Sequence, residues 1–327
     1  MNNPAKILNV CVLGGTGFIG TELIARLNAA GHRVRVLTRK LAAASHLRVL
    51  PGVEVSVANV HAPAVLVAAF AGIDVVINLV GILNESGRSG AGFRRAHTEL
   101  AASIVTAAHA TRVKRLLQMS SLGARIDGPS HYLRSRGAAE QHIDAHAGRL
   151  DYHIFRPSVV FGDGDSLTNR FASLLRLSGG WLPLAKPDTR FAPVYVGDVA
   201  EAFVRCLHGG PVDGAPPDAR RYQLCGPDIL SLEQLVRLTA NYAALPSHIL
   251  RLPDFVARIQ AAVMDFVPGK PFSTDNYRSL SEDSVCSSGG LLRLGIRPRS
   301  MAAVLPTYLG SASRESRLDA ARRRAGR

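Results

Sequence analysis

The chain has 327 residues, 47% of them hydrophobic and 20% charged, enough for one large or two modest domains around a sizeable core. Aromatic residues make up only 6%, with Trp181 the single tryptophan, which argues against a stacking platform for single-stranded nucleic acid. The 39 Lys and Arg against 25 Asp and Glu leave a formal charge of +14; no recognition motif accompanies it, so no nucleic acid partner is expected.

The first element is the most informative. Residues 10–20 read VCVLGGTGFIG: an apolar strand runs into Gly14, Gly17 and Gly20, and the helical pattern TELIARLNAAG follows. One glycine permits the tight turn, one lets backbone N–H groups approach a pyrophosphate, and one lets the helix pack on the strand. Thr16, Phe18 and Ile19 complete the loop, and the positive end of the helix dipole faces the phosphates. A glycine turn of purely structural use is the competing reading. The strand–turn–helix context favours a dinucleotide. The motif begins about ten residues from Met1, so no signal peptide is expected.

Residues 33–38 (RVRVLT) form a second strand. NAD-specific sheets end this strand with an acidic residue for the ribose 2′-hydroxyl. Here Thr38, Arg39 and Lys40 stand there instead, two cations that fit a 2′-phosphate; a solvated basic loop is the alternative. A third strand spans 53–57, and a fourth, 74–80, is short and apolar as a buried parallel strand should be. Residues 65–83 are apolar, but Asp74 and Asn78 interrupt them, so no membrane span is expected. A helix over 93–111, a fifth strand over 115–120 and a sixth over 152–156 complete a βαβ rhythm. The fold class is therefore α/β, a Rossmann-type doubly wound parallel sheet with a smaller C-terminal α/β lobe.

The rhythm breaks near residue 191. The expected division is a nucleotide-binding domain over 1–190, a smaller substrate- or partner-facing lobe over 191–310 and a basic tail over 311–327. The tail reads either as a solvated terminus or as a contact with an acidic protein or an anionic membrane surface. In FVARIQAAVMDFV, residues 255–267, Phe255, Ile259, Val263 and Phe266 share one helical face. That face is expected to pack on the core, with docking on a membrane surface as the alternative. Cys11, Cys206, Cys225 and Cys286 form no C-x-x-C pair and are expected to be small buried hydrophobes in a reducing compartment. His142 and His146 have metal-ligand spacing but no third ligand, and Asp163 and Asp165 read as turn and cap residues, so no metal is expected.

The motifs resemble those of the extended and atypical short-chain dehydrogenase/reductases, the epimerase/dehydratase-like group. The matching pieces are GGTGFIG (14–20), NLVG (78–81), MSSLGA (119–124), YLRSR (132–136), FRPSVVFG (155–162), VYVGDVAEAF (194–203) and YQLCGPDILSLEQLV (222–236). Within that group, SSLGA, YLRS, RPSVVFGDGD and LPLAKPDTRFAPVYVGDVA resemble the branch holding the NADPH-binding accessory subunit of respiratory complex I and its bacterial relatives. The resemblance implies NADPH or NADP as cofactor, with NAD less favoured. It implies adenine contacts at Asn59 and Val60 and phosphate–ribose contacts at Leu79, Val80 and Gly81. Ser120 would also touch the cofactor, and Pro157, Ser158 and Val159 would flank its nicotinamide side.

The resemblance further implies a tyrosine that moves a proton at the substrate oxygen and a lysine four residues on that holds the ribose and lowers the tyrosine pKa. Tyr132 takes the tyrosine position, but Arg136 stands at the lysine position, and a planar guanidinium does not replace an ammonium at one ribose site. Leu122 stands where many active members carry a hydroxyl, with Ser121 beside it. Two departures leave a protein expected to hold NADP(H) and to turn over slowly or not at all. By resemblance it would be an accessory or assembly factor of the respiratory NADH:quinone oxidoreductase, or act in quinone metabolism. It would be cytoplasmic or peripheral at the inner face of the membrane. The alternative is an active NADPH-dependent reductase or sugar-nucleotide epimerase/dehydratase using Tyr132, with Arg136 as its partner.

Overall fold

Short apolar strands alternating with helices build a seven-stranded sheet in the computed structural model of the chain, which describes residues 6–148, 150–209, 220–268 and 270–309. The strands are β1 (Asn9–Leu13), β2 (Arg33–Thr38), β3 (Val53–Val57), β4 (Val75–Asn78), β5 (Arg115–Met119), β6 (Asp151–Pro157) and a seventh, Arg221–Leu224. The seventh strand lies at one edge, followed by β6, β5, β4, β1, β2 and β3. All neighbours are parallel. The order reverses between β1 and β4, so a crevice opens beyond their carboxyl ends, where such sheets bind ligands. The basic tail over 311–327 lies outside the described residues.

Alternate residues of each central strand feed opposite faces. Val10, Val12, Val34 and Val36 join one core with Leu23 and Phe203. Cys11, Leu13, Val76, Leu116 and Ile154 join the other. Helix α1 (Phe18–Ala29) buries Gly20, Leu23, Ile24 and Leu27 against the first core. The expected helix over 93–111 is three pieces end to end: Ala91–Phe93, a π-helical stretch Arg94–Glu99, and Leu100–Thr111.

The chain crosses between sheet and lobe more than once. Strand Arg221–Leu224 pairs with β6, so a sequence boundary near residue 190 separates segments that share the main sheet. The smaller lobe has its own apolar clusters, one around Leu175, Leu184, Leu232 and Val236 and one around Phe161, Leu235, Met301 and Leu305. Among the described residues no helix is long and apolar enough to cross a membrane.

Two expectations are corrected here. Cys225 and Cys286 are joined in a disulfide across a separation of 61 residues, so they are not free buried thiols. The seventh strand ends beside the segment that returns over the sheet edge, and that proximity pairs them. Cys11 and Cys206 are free and buried, and burial pushes both thiols up to about 12. Second, the face of helix Asp254–Met264 that carries Phe255, Ile259 and Val263 does not pack on the core; these side chains and Phe266 are exposed. The helix meets its lobe through Ala257 and Ala261 instead, beside Tyr277 and Ala185.

Candidate nucleotide and catalytic site

The turn after β1 is shaped by what a side chain would hit. Gly14 has φ +78°, and a Cβ there would lie 2.9 Å from the Leu79 carbonyl carbon and the Val80 nitrogen, so the turn is drawn onto the end of β4. A Cβ on Gly20 would sit 2.5 Å from the Gly15 carbonyl oxygen and 2.6 Å from that of Gly14, which lets the first turn of α1 press on the loop. Gly15 was not singled out by the sequence, yet a Cβ there would meet Ile24 at 2.7 Å and Val36 at 2.9 Å. Gly17 differs from all three. It is exposed, its backbone is extended (φ −82°, ψ 175°), and a Cβ would meet only the Gly14 carbonyl oxygen, at 3.3 Å.

Gly17 is also the N-cap of α1, which has no side-chain cap and no acidic residue in its first turn. Its leading N–H groups are therefore available to an anion. Thr16 is half-buried. Ile19 packs against the core below, and a Cβ on Gly162 would lie 3.3 Å from the Phe18 ring.

At the end of β2, the Thr38 hydroxyl donates to the Lys40 carbonyl at 3.1 Å and accepts the Lys40 N–H at 3.3 Å. This closes the turn and leaves Arg39 and Lys40 exposed. His61, just after β3, is lowered below its usual pKa by burial first and then by Arg95 and Arg39. Arg39 and Arg95 thus share one cationic neighbourhood, and Arg95 carried no sequence signal. The Asn59 side chain accepts the His61 N–H at 3.1 Å, while Val60 is buried in the second core.

Tyr132 and Arg136 lie in the helix His131–His146. Its N-terminus is held from the other lobe: the Asp275 carboxylate accepts the N–H groups of His131 (2.6 Å) and Tyr132 (3.1 Å), and the Ser130 hydroxyl accepts that of Leu133. The Tyr132 ring stands edge-on to His97 at 5.5 Å and to Phe93 at 6.0 Å. The Arg136 guanidinium lies 5.6 Å from the centre of the same ring. Arg136 is only 5% exposed. One of its amino groups donates to the Met119 carbonyl at 2.9 Å, and its Nε has no partner. A Cβ on Gly81 would fall against this guanidinium, so Gly81 makes room for it.

His97 was missed by the sequence. It is fully buried. Its Nε2 accepts the Ile82 N–H at 3.2 Å, which puts the ring proton on Nδ1, facing the Ser135 hydroxyl at 2.7 Å. Ser135 in turn donates to the Tyr132 carbonyl at 2.8 Å. Burial, and then the Arg136 charge, push the His97 pKa down to about 2. A neutral imidazole therefore ties the loop after β4 to the helix that carries Tyr132.

The hydroxyls of Ser120, Ser121 and Ser158 are engaged within the fold. The Ser120 hydroxyl donates to buried Glu140, itself ion-paired with Arg156 and Arg221, so this hydroxyl is committed beneath the helix. Ser121 donates to the Leu122 carbonyl at 3.1 Å, and Leu122 is buried. Pro157 and Ser158 are buried. Ser158 donates to the Ser284 carbonyl at 2.6 Å and accepts the Ala192 N–H at 3.2 Å, locking β6 to the lobe. Leu79 packs on the first core, Val80 on the second, and Val159 on the lobe.

The residues present fit a dinucleotide: an exposed Gly17 with open space beside it, an uncapped helix start, and a buried guanidinium with an orphaned N–H. The comparisons with known proteins agree. A family model described as NAD(P)H-binding matches residues 14–208, and the chain belongs to that family, with the epimerase/dehydratase-like short-chain dehydrogenase fold. It is 29% identical over 295 residues to a mitochondrial protein of Arabidopsis thaliana, NADH dehydrogenase (ubiquinone) 1 alpha subcomplex subunit 9, covering 86% of this chain and 71% of that one. It is 31% identical over 248 residues to the ceramide reductase of Caulobacter vibrioides, covering 75% and 74%. A solved UDP-glucose 4-epimerase of Thermotoga maritima shares the fold at TM-score 0.72 and 16% identity, covering 96% of this chain and 100% of that one.

Proposed function

We propose that the chain binds NADPH in preference to NADH and turns it over slowly or not at all. In this reading it serves as an accessory or assembly factor of a respiratory NADH:quinone oxidoreductase, or in quinone metabolism. It works in the cytoplasm, peripheral to the inner face of the membrane. The main sheet and its loops hold the nucleotide, and the smaller lobe faces the substrate or partner. Arg39 and Lys40 grip the 2′-phosphate. Gly14, Gly17 and the start of α1 take the pyrophosphate, and Leu79, Val80 and Gly81 border it. Asn59 and Val60 flank the adenine, and Pro157, Ser158 and Val159 the nicotinamide.

The observation that carries the slow-turnover reading is Arg136. Its guanidinium is bonded to the Met119 carbonyl and offers a planar fork where a compact ammonium would grip a ribose hydroxyl. Leu122, buried, offers no hydroxyl to a carbonyl substrate. The identity to a subunit of NADH dehydrogenase supports the accessory role.

A second reading is an NADPH-dependent reductase or sugar-nucleotide epimerase. The placement of Arg136 over the Tyr132 ring favours it, as does the identity to a ceramide reductase. The bound nicotinamide would supply or accept a hydride. The Tyr132 hydroxyl would move a proton at the substrate oxygen, and the Arg136 charge would stabilise its ionised form. One experiment separates the two readings. The purified protein is dialysed, its reduced-nicotinamide absorbance is read, and single-turnover oxidation is followed against quinones, ketones and sugar nucleotides. Retained cofactor that none of them oxidises is expected. Oxidation that falls about 10²-fold or more in Tyr132→Phe, the scale of one general acid, would overturn the first reading in favour of the second.

A further inference from the structure

Helix Asp254–Met264 leaves its most apolar face uncovered. Phe255 is 67% exposed, Ile259 60%, Val263 57% and Phe266, just past the helix end, 76%. At about 100° per residue these four fall within an arc of about 80°. The opposite side carries Ala257 and Ala261, both buried, so the helix is seated by small residues and holds its large ones outward. Solvated helices show the reverse pattern, and an exposed patch of this kind marks an interaction site.

The charges around the stripe are cationic or neutralised. Arg258, on the helix, is 69% exposed along its side chain. Arg88 is 56% exposed and lies over the Phe266 ring at 5.2 Å. These cations are themselves paired, with one positive charge in excess: Asp254 sits between Lys186 and Arg258, and Asp265, nearly buried, pairs with Arg88. An apolar stripe edged by Arg and Lys is what an interfacial helix presents to anionic headgroups. A second copy of this chain fits worse, since face-to-face stripes would bring Arg258 and Arg88 against themselves in a chain already at +14. Arg88 also lines a cavity of about 90 Å³ with Phe93, where Lys270 and Arg278 are matched by Glu85, Asp265 and Asp275, and Phe93 stands edge-on to Tyr132. Arg88 thus links the stripe to a cavity one ring away from Tyr132.

We propose that helix Asp254–Met264 docks on an anionic lipid bilayer, inserting Phe255, Ile259, Val263 and Phe266 among the acyl chains and turning the cavity beside Phe93 toward the membrane. The inference deepens the peripheral placement proposed above and is independent of the nucleotide reading, because it rests on a different element.

The test is co-sedimentation of the full chain with vesicles of equal parts phosphatidylcholine and phosphatidylglycerol, against phosphatidylcholine alone. Preferential binding to the anionic vesicles, weakening as salt is raised, is expected. The exposed pair Phe255→Ser with Phe266→Ser is expected to weaken it at least about tenfold, with thermal unfolding and NADPH affinity unchanged. A second pair, Ile259→Ser with Val263→Ser, is expected to behave alike. Both pairs keep the basic tail, so binding that survives both would assign the membrane contact elsewhere and overturn the proposal. Failure of the wild type to bind anionic vesicles would overturn it. So would a dimer, seen by gel filtration, that the same pairs dissolve.

Discussion

Gly17 separates folding from cofactor binding in a way its neighbours cannot. A Cβ on Gly20 would lie 2.5 Å from a backbone oxygen. The loop must move to accept it, so Gly20→Ala should destabilise the protein by about 1–3 kcal/mol as overpacking does. Gly14→Ala adds the cost of a left-handed backbone, about 1–2 kcal/mol, to contacts at 2.9 Å. At Gly17 the single new contact is at 3.3 Å and φ is −82°. Gly17→Val replaces a favoured N-cap residue by a poor one and should therefore cost the ligand-free protein about 1 kcal/mol or less. It should nonetheless abolish NADPH binding, because the new side chain fills the space a pyrophosphate needs. The assay is urea unfolding with and without NADPH, alongside titration calorimetry. At a ligand concentration of 100 times Kd the wild type gains about 2.7 kcal/mol by linkage, and Gly17→Val should gain nothing. An unchanged Kd in Gly17→Val would show that the phosphate loop has been misplaced. A loss of ligand-free stability as large as that of Gly20→Ala would refute the steric reasoning.

The remaining predictions concern acid stability and the disulfide. His97 is held neutral in the fold, at about 2 against the ordinary 6.5, so the unfolded chain takes up a proton that the folded chain refuses. Its contribution is fully present above about pH 6.5 and is lost as pH falls below that, by about 1.4 kcal/mol per pH unit. His97→Gln should flatten the fall in stability between pH 6.5 and 5.5 by about 1 kcal/mol, since the full slope is reached only below the unfolded pKa, measured by urea unfolding; an unaltered slope would remove His97 as its source. His153, lowered chiefly by burial, acts with the same sign and should keep part of the slope. The Cys225–Cys286 bridge closes a separation of 61 residues, worth at most about 4 kcal/mol by loop entropy. Cys286→Ala should lose stability toward that limit under non-reducing conditions; alkylation of both cysteines in the unreduced wild type would contradict it.

Six of the seven strands were legible as short runs rich in apolar residues; the seventh, RYQL over 221–224, has no such run and fell in the span expected to be the lobe. The ranges 33–38 and 53–57 agree with β2 and β3 to the residue. The fourth strand was read too long at both ends, because hydropathy does not show where Leu79 and Val80 stop pairing and become the crevice edge. The π-helical stretch around His97 has no hydrophobic period of its own, so neither it nor the imidazole it buries could be foreseen. Nothing local links Cys225 to Cys286; their approach depends on a strand that leaves the lobe and returns to the main sheet. Periodicity did group Phe255, Ile259, Val263 and Phe266 on one face. What covers a face is a property of its neighbours, and Ala257 and Ala261, opposite, were the side that packed.

The central claim is that this crevice selects NADPH through the cations after β2. Titration calorimetry of the wild type and Arg39→Asp with NADPH and with NADH tests it directly. NADPH should bind the wild type more tightly than NADH. Arg39→Asp should lose about 1.5–3 kcal/mol toward NADPH, the scale of charge-assisted hydrogen bonds, with its affinity for NADH little changed. Equal affinities for the two nucleotides in the wild type, or an equal loss toward both in Arg39→Asp, would contradict the claim.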